Sequence, residues 1–430
     1  MAKNNADGVG ARHLYTAVLY AALPLVLLRL LWRGIKARAY LSRWAERFGR
    51  FPSPALPARP IWVHAVSVGE SVAAAPLIEG LIAQYPGVPV VVTTTTPTGS
   101  ERIQTLFGER VFHVYAPYDL PFAVQGFLGR THPRLLVLME TEIWPNIIAI
   151  CDQRRIPIVL ANARMSERSA KGYRRLGELT AGTLRGIDLI AAQTEADRQR
   201  FIGLGADRHS VEVTGSIKFD TRMPASLRER GEVLRRSWGN SRPVWIAAST
   251  HEGEDEQVLD AFDRVRGVFP DCLLVLVPRH PERFQRVASL CRRRDFETVL
   301  RSEGDTVSED TAVYLGDTMG DLTLLYAAAD IAFVGGSLVP TGGHNVLEPA
   351  ALGLPVLFGP HMFNFAEIAS MLLVHEAARQ VASSTELANR VITLLRDANL
   401  RHVQGENGRS LIEANRGALE RLKTRIESLM

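Results

Sequence analysis

Glu70 stands in the turn Ser67-Val68-Gly69-Glu70-Ser71, directly after the apolar run Ile61–Val66. Glycine lets the backbone turn sharply, and an acid just beyond it fits two roles. It can complement the positive end of the following helix, or it can take a proton from an attacking hydroxyl as a general base. A second acidic set, Met139-Glu140-Thr141-Glu142-Ile143-Trp144-Pro145-Asn146, follows the wholly apolar LLVLM. One of these acids is expected to cap the next helix. Two acids with Trp144 and Asn146 exceed what a cap requires. Lys218, in Gly215-Ser216-Ile217-Lys218-Phe219-Asp220, reads either as a solvated charge or as a cation that steadies a carboxylate or phosphate.

The second half of the chain carries a different chemistry. The run CLLVLVP leads straight into Arg279-His280-Pro281-Glu282-Arg283-Phe284, and an arginine there is placed to clamp a phosphate. The segment Gly316-Asp317-Thr318-Met319-Gly320-Asp321-Leu322 again opens a helix, so its backbone N–H groups suit a base edge or a phosphate. Gly335-Gly336-Ser337 leads through Pro340 to Gly342-Gly343-His344-Asn345-Val346-Leu347-Glu348-Pro349. Asn345 and Glu348 are three apart and share one helical face. An acid so placed accepts hydrogen bonds from a ribose diol in dinucleotide sites. Each loop alone is explained by a capped turn; three at successive strand ends favour a nucleotide. Neither a P-loop nor a G-x-G-x-x-G fingerprint is present at the first strand–helix turn.

The elements that must position these residues are legible as short apolar runs separated by helix-length segments. The expected strands are Ile61–Val66, Val88–Thr93, Leu135–Leu138, Ile158–Leu160 and Leu189–Ala191, then Val244–Ala248, Cys272–Val277, Ala312–Leu315, Ile331–Phe333 and Val356–Phe358. Such alternation predicts βαβ units and parallel sheets. It pauses near Thr214–Pro224, before the charged SLRERGEVLRRSWG. Two doubly wound α/β domains in tandem are therefore expected, with ligands in one cleft at the strand C-termini. The predicted division is 1–50 as anchor and basic juxtamembrane segment, 51–220 and 221–400 as the two domains, and 401–430 as a C-terminal helix packing back.

Size agrees, because 430 residues exceed what a single core supports. A hydrophobic share of 46% with 22% charged residues excludes disorder and a polytopic membrane protein. The formal charge of +4 suits an anionic partner but, with acids nearly balancing bases, does not point to nucleic acid. Cys151, Cys272 and Cys291 are too scattered for a metal site or a disulfide framework. The run Leu14–Trp32, broken by Pro24 and Arg29, just reaches the roughly 20 apolar residues of a membrane-crossing helix. Arg33, Lys36, Arg38, Arg43, Arg47 and Arg50 follow it. They predict an uncleaved anchor, crossing the membrane or lying on it, with the remaining chain on the cytoplasmic side.

Taken together, HAVSVGES, TTTTPTG, METEIWPN, NARMSERS, GSIKFD, PRHPERF, GDTMGDL and GGHNVLEPA resemble the Kdo (3-deoxy-D-manno-octulosonic acid) transferases of lipopolysaccharide inner-core synthesis, over nearly the whole chain. The resemblance implies a GT-B fold of two Rossmann-like domains facing across a cleft. It implies Glu70 as catalytic base, with Glu140 and Lys218 supporting the transition state. Pro278 and Arg279, Met319-Gly320-Asp321, and Asn345-Val346-Leu347-Glu348 match the family's CMP-holding positions. Asp321 stands where Glu is also familiar, and this shorter acid is expected to cap the helix. The implied partners are CMP-Kdo, a lipid A precursor and the cytoplasmic face of the inner membrane. No cofactor or metal is expected. Arg164, Arg168 and Lys171 are further candidates for acceptor phosphates, with a solvated helix face as the favoured competing reading. A UDP-sugar transferase acting on a lipid-linked acceptor, a nucleotide-sugar epimerase and a catalytically silent membrane module are the competing readings; METEIWPN and GSIKFD weigh against the first.

Overall fold

A computed structural model describes residues 6–36, 38–220, 223–224, 226–304 and 306–430. Thr221 and Arg222, at the expected 220–221 boundary, and residues 1–5 of the expected anchor lie outside that set. The chain forms two units, Met1–Asp220 with Arg416–Met430, and Thr221–Asn415. The C-terminal stretch is divided between them: Ala398–Asn415 belongs to the second and Ala418–Glu427 to the first.

The first unit holds β1 (Ile61–His64), β2 (Val90–Thr94), β3 (Phe112–Tyr115), β4 (Leu135–Met139), β5 (Ile158–Ala163), β6 (Leu189–Ala192) and β7 (Val211–Val213). They form one parallel sheet in the order β3-β2-β1-β4-β5-β6-β7. The second holds β8 (Val244–Thr250), β9 (Leu273–Pro278), β10 (Thr298–Leu300), β11 (Val313–Leu315), β12 (Ile331–Val334), β13 (Val356–Phe358) and β14 (Ala378–Gln380). Their order is β10-β11-β9-β8-β12-β13-β14, again parallel. Helices cover both faces, which is why central strands such as β1 and β9 are buried at every position. The core gathers Trp62 and Phe127, with ring centroids 4.3 Å apart, in one unit and Trp245 with Phe262 in the other.

Helix starts follow ordinary capping chemistry. Ser67, Thr96, Ser166, Thr194 and Ser383 each accept from the N–H three residues on. Asp220 accepts from the Gly417 and Leu419 N–H groups, both at 2.6 Å, and so ties the last helix to the first unit.

The expected anchor is one helix, Ala6–Lys36, running through Pro24. Within it Gly8–Ile35 is long and apolar enough to cross a membrane. Not all the following arginines form a surface patch. Arg47 is buried, with its guanidinium 4.3 Å from the centroid of the Tyr115 ring and donating to the Thr95 carbonyl. Arg43 donates to the His113 carbonyl and pairs with Glu46.

Candidate functional site

In an open parallel sheet, neighbouring strands whose connections leave in opposite directions open a crevice at their C-terminal ends. The first sheet changes direction between β1 and β4, and the acidic motifs of that unit sit just beyond these two strands. Helix Val68–Gln84 starts immediately after β1 with Ser67 as N-cap. Glu70 is its third residue. Its carboxylate accepts from the Val66 N–H at 2.8 Å and the Ser67 hydroxyl at 2.9 Å. This is a reciprocal cap, the helix-end role expected of this acid. Each oxygen has one internal donor and keeps a lone pair. Burial raises the Glu70 carboxyl above its ordinary range, against the pull of the Val66 and Ser67 hydrogen bonds. His64 on β1 is a poor rival as base: fully buried, it is pushed down to about 4, and its hydrogen-bond partner among the described residues is Thr93.

Beyond β4, Glu140 adopts φ +54°, a left-handed conformation that costs a non-glycine residue about 1–2 kcal/mol. Buried, it lies between two cations: Lys218 Nζ is 3.2 Å from Oε1 and Arg164 Nη2 is 2.8 Å from Oε2. Lys218 is therefore not a free linker charge. Asn162, also left-handed, accepts from the Ile217 N–H at 3.2 Å and positions that lysine's turn. The expected cap from METEIWPN does not occur. Helix Pro145–Gln153 has no cap from Trp144. Asp119, distant in sequence, accepts from the N–H groups of Asn146 at 3.0 Å and Ile147 at 2.7 Å instead. That frees Glu140 for its ion pairs and Glu142 for a 2.6 Å hydrogen bond donated by Trp144 Nε1.

Burial, then the negative charge of Glu70, push Glu142 up to about 7. A carboxyl raised on folding stabilises the fold fully below its unfolded value. That contribution is lost as pH climbs from about 4.5 through 7 and stays lost above. The span corresponds to at most about 3 kcal/mol at ~1.4 kcal/mol per unit. Urea unfolding should therefore show stability falling from pH 5 to 7.5, with most of the slope removed in Glu142→Gln. An unchanged slope in the variant would refute the assignment.

The second sheet changes direction between β8 and β12. Ser249, at φ +58°, turns the chain at the end of β8. Glu254 is fully buried beyond it and accepts from four backbone N–H groups: His251 at 2.9 Å, Gly336 at 2.6 Å, Ser337 at 2.9 Å and Leu338 at 2.8 Å. One carboxylate thus binds the loop after β8 to the glycine loop after β12. Nearby, His251 Nε2 and His344 Nε2 are 2.8 Å apart. Two such nitrogens bond only when one carries a proton and the other is bare. Burial lowers both, His344 to about 4, so the pair is neutral.

Pro278 ends β9, and the Arg279 N–H donates to the Thr250 carbonyl at 3.0 Å, leaving its guanidinium exposed. Arg283, by contrast, is turned inward onto Asp255 and the Thr250 carbonyl. Met319 and Gly320 are exposed at the tip of their loop. Asp321 occupies the N-cap position but makes no capping bond. Its carboxylate is drawn to Arg301 at 2.7 Å and to the Thr318 hydroxyl at 2.7 Å, which hold it below the usual range. Asn345 caps the Leu347 N–H at 3.0 Å and donates to Glu348 Oε1 at 2.9 Å; burial raises Glu348. Val346 and Leu347 are buried beneath.

Each set is thus assembled within its own unit. His251 and Glu254 were not singled out in the sequence, although His251-Glu252-Gly253-Glu254 follows an apolar strand as the other motifs do. Asp119 carried no local signal. Among the described residues, no group of three or more His, Cys, Asp or Glu is placed to hold a metal ion.

Comparison with known proteins adds independent information. Residues 42–221 match the family model of 3-deoxy-D-manno-octulosonic-acid transferase, and residues 250–411 match glycosyl transferases group 1. A 3-deoxy-D-manno-octulosonic acid transferase of Haemophilus influenzae is 43% identical over 96% of this chain and 97% of its own. One of Bordetella pertussis is 37% identical over 97% and 99%. Among solved structures, a putative UDP-N-acetylglucosamine 2-epimerase of Listeria monocytogenes aligns with TM-score 0.53 over 86% of this chain and 96% of its own. At 13% identity that likeness shows the fold alone.

Proposed function

The chain belongs to the Kdo transferases, GT-B glycosyltransferases of lipopolysaccharide core synthesis, and from that premise we propose that it passes Kdo from CMP-Kdo to a tetraacylated, bisphosphorylated lipid A precursor, with inversion and Glu70 as base. The observation that carries this reading is the pairing of Glu140 with Lys218 and Arg164 beside a half-buried Glu70. An acidic sugar with an anionic leaving group brings two negative charges to the site. A carboxylate base alone would repel them; Glu140 balances one of the two cations, and the one net positive charge that remains offsets the repulsion from Glu70.

In the proposed step an acceptor hydroxyl gives its proton to a Glu70 oxygen as its own oxygen bonds the anomeric carbon. The bond from that carbon to the CMP phosphate oxygen breaks, and the electron pair leaves with CMP. The anomeric centre is tertiary and carries a carboxylate, so positive charge develops there before the new bond is complete. Arg279 and neighbouring loop N–H groups hold the departing phosphate. Glu348 accepts from the ribose diol, while Pro278 and the Met319-Gly320-Asp321 loop border the nucleotide. A single-phosphate leaving group calls for less neutralisation than a diphosphate, so the step proceeds without a metal. The catalytic units work at the cytoplasmic face of the inner membrane.

The test is transfer from CMP-Kdo, generated in situ, to the lipid A precursor, with products resolved by mass. An added Kdo mass, with inhibition by CMP and not by UDP, is expected. The product mass also gives the number of sugars. No product from folded enzyme, or inhibition by UDP alone, would refute the reading in favour of a UDP-sugar donor.

A further inference from the structure

The helix Ala6–Lys36 has two opposed faces, and the first unit already occupies one of them. Gly8 meets Gly182 so closely that a Cβ on either would sit within 3.6 Å of the other's Cα. The Tyr15 hydroxyl donates to Asp119 at 3.0 Å, and the Thr16 hydroxyl donates to Asn146 at 3.0 Å. Farther along, Leu30 is buried and Gly34 is packed against Leu41. At about 100° per residue these positions fall on one side of the helix. Six of the exposed apolar positions, Leu14, Val18, Leu25, Leu28, Trp32 and Ile35, recur at intervals of three, four and seven on the opposite side, while the less exposed Val9, Tyr20, Val26 and Leu31 lie off that stripe.

Length decides against a crossing. Docking holds the helix from Gly8 to Tyr20, whose ring stacks on Phe122 with centroids 6.3 Å apart. Only Ala21–Trp32 of the apolar run is then left. At ~1.5 Å per residue that is about 18 Å, against a hydrocarbon core of about 30 Å. Arg29, exposed within the run, would also lie inside the hydrocarbon of a crossing helix, whereas on a surface helix it reaches the headgroups.

We propose that this helix does not cross the bilayer but lies along its cytoplasmic leaflet, docked by one face on its own domain and burying the stripe from Leu14 to Ile35 among the acyl chains. Exposed Arg29, Arg33 and Arg38 face anionic phospholipid headgroups beside it, and Tyr20 with Phe122 lies at the boundary. This rests on the reading of the chain as an inner-membrane enzyme and adds the side on which its N-terminus lies.

Single-cysteine labelling tests it, because all three native cysteines are buried. Gly10, with open space around it, and exposed Ser53 are replaced singly by cysteine in the full chain, expressed in a Gram-negative host. Spheroplasts are treated with a membrane-impermeant maleimide before and after lysis. The expected result is a membrane-bound chain in which both cysteines are protected before lysis and labelled after it. Labelling of Gly10→Cys in intact spheroplasts, with Ser53→Cys protected, would overturn the proposal and leave the inner-membrane reading standing. A chain found in the soluble fraction would overturn both.

Discussion

Glu70→Gln should lower the rate of sugar transfer by about 10²–10⁴-fold, the usual range for a positioned general base, while CMP binds as before. The side chain keeps its shape and retains a carbonyl oxygen for the Val66 N–H or the Ser67 hydroxyl, which now share the Glu70 carboxylate. The helix start is therefore largely preserved, and the loss reports the missing base. Glu70→Ala would mix that loss with the removal of a cap worth about 1 kcal/mol. The pH profile supplies a second readout. Burial raises Glu70, so wild-type activity should climb with pH through a limb above the ordinary carboxylate range. The residual activity of the variant should lack that limb. A variant within tenfold of wild type, or one that keeps the limb, would move the base elsewhere.

Glu254→Gln carries the second large effect, on stability and donor binding together. Its carboxylate answers four backbone N–H groups in a fully buried setting. An amide keeps one acceptor oxygen and turns its NH₂ toward donors on the other side. Two N–H groups then lose their partner, at about 1–3 kcal/mol each. We expect a loss of roughly 4 kcal/mol in urea unfolding of the second unit on that basis, and at least tenfold weaker CMP binding by calorimetry. The glycine loop Gly335–Ser337 would no longer be fixed to the end of β8. Stability within 1 kcal/mol of wild type, with unchanged CMP affinity, would show that the clamp is dispensable.

The strands left unread in the sequence are β3, β7, β10 and β14, and every one is the edge of its sheet. The reason is physical. Central strands are buried on both faces and read as unbroken apolar runs. An edge strand needs only a few ladder bonds, so VEV, TVL and ARQ carry little hydrophobic signal. Site residues at strand ends were legible because strand, turn and polar residues are contiguous in sequence. What escaped was long-range: the Asp119 cap on helix Pro145–Gln153 and the clamp from Glu254 to residues more than 80 positions away. Local reasoning also misassigned Asp321, since an acid before a helix suggests a cap until Arg301 is known to stand beside it. Likewise Arg47, read with its basic neighbours as surface charge, is buried against Tyr115 because its stem and planar head suit an aromatic face.

Asp119 also bears on what the N-terminal helix is for. The same carboxylate that starts helix Pro145–Gln153 receives the Tyr15 hydroxyl, and Asn146, at that helix start, receives Thr16. The N-terminal helix is thus joined to the turn bearing Glu140 and Glu142, and is not a detachable appendage. A shortened chain beginning at the proline-rich linker would be more than a trimmed version of the same catalyst. It would bare an anionic side chain and an amide that the intact protein keeps covered, at the root of its own acidic motif. Kinetic constants from such a fragment would describe an enzyme with an altered foundation, and inhibitors ranked on it would be ranked against a surface that the whole protein does not present.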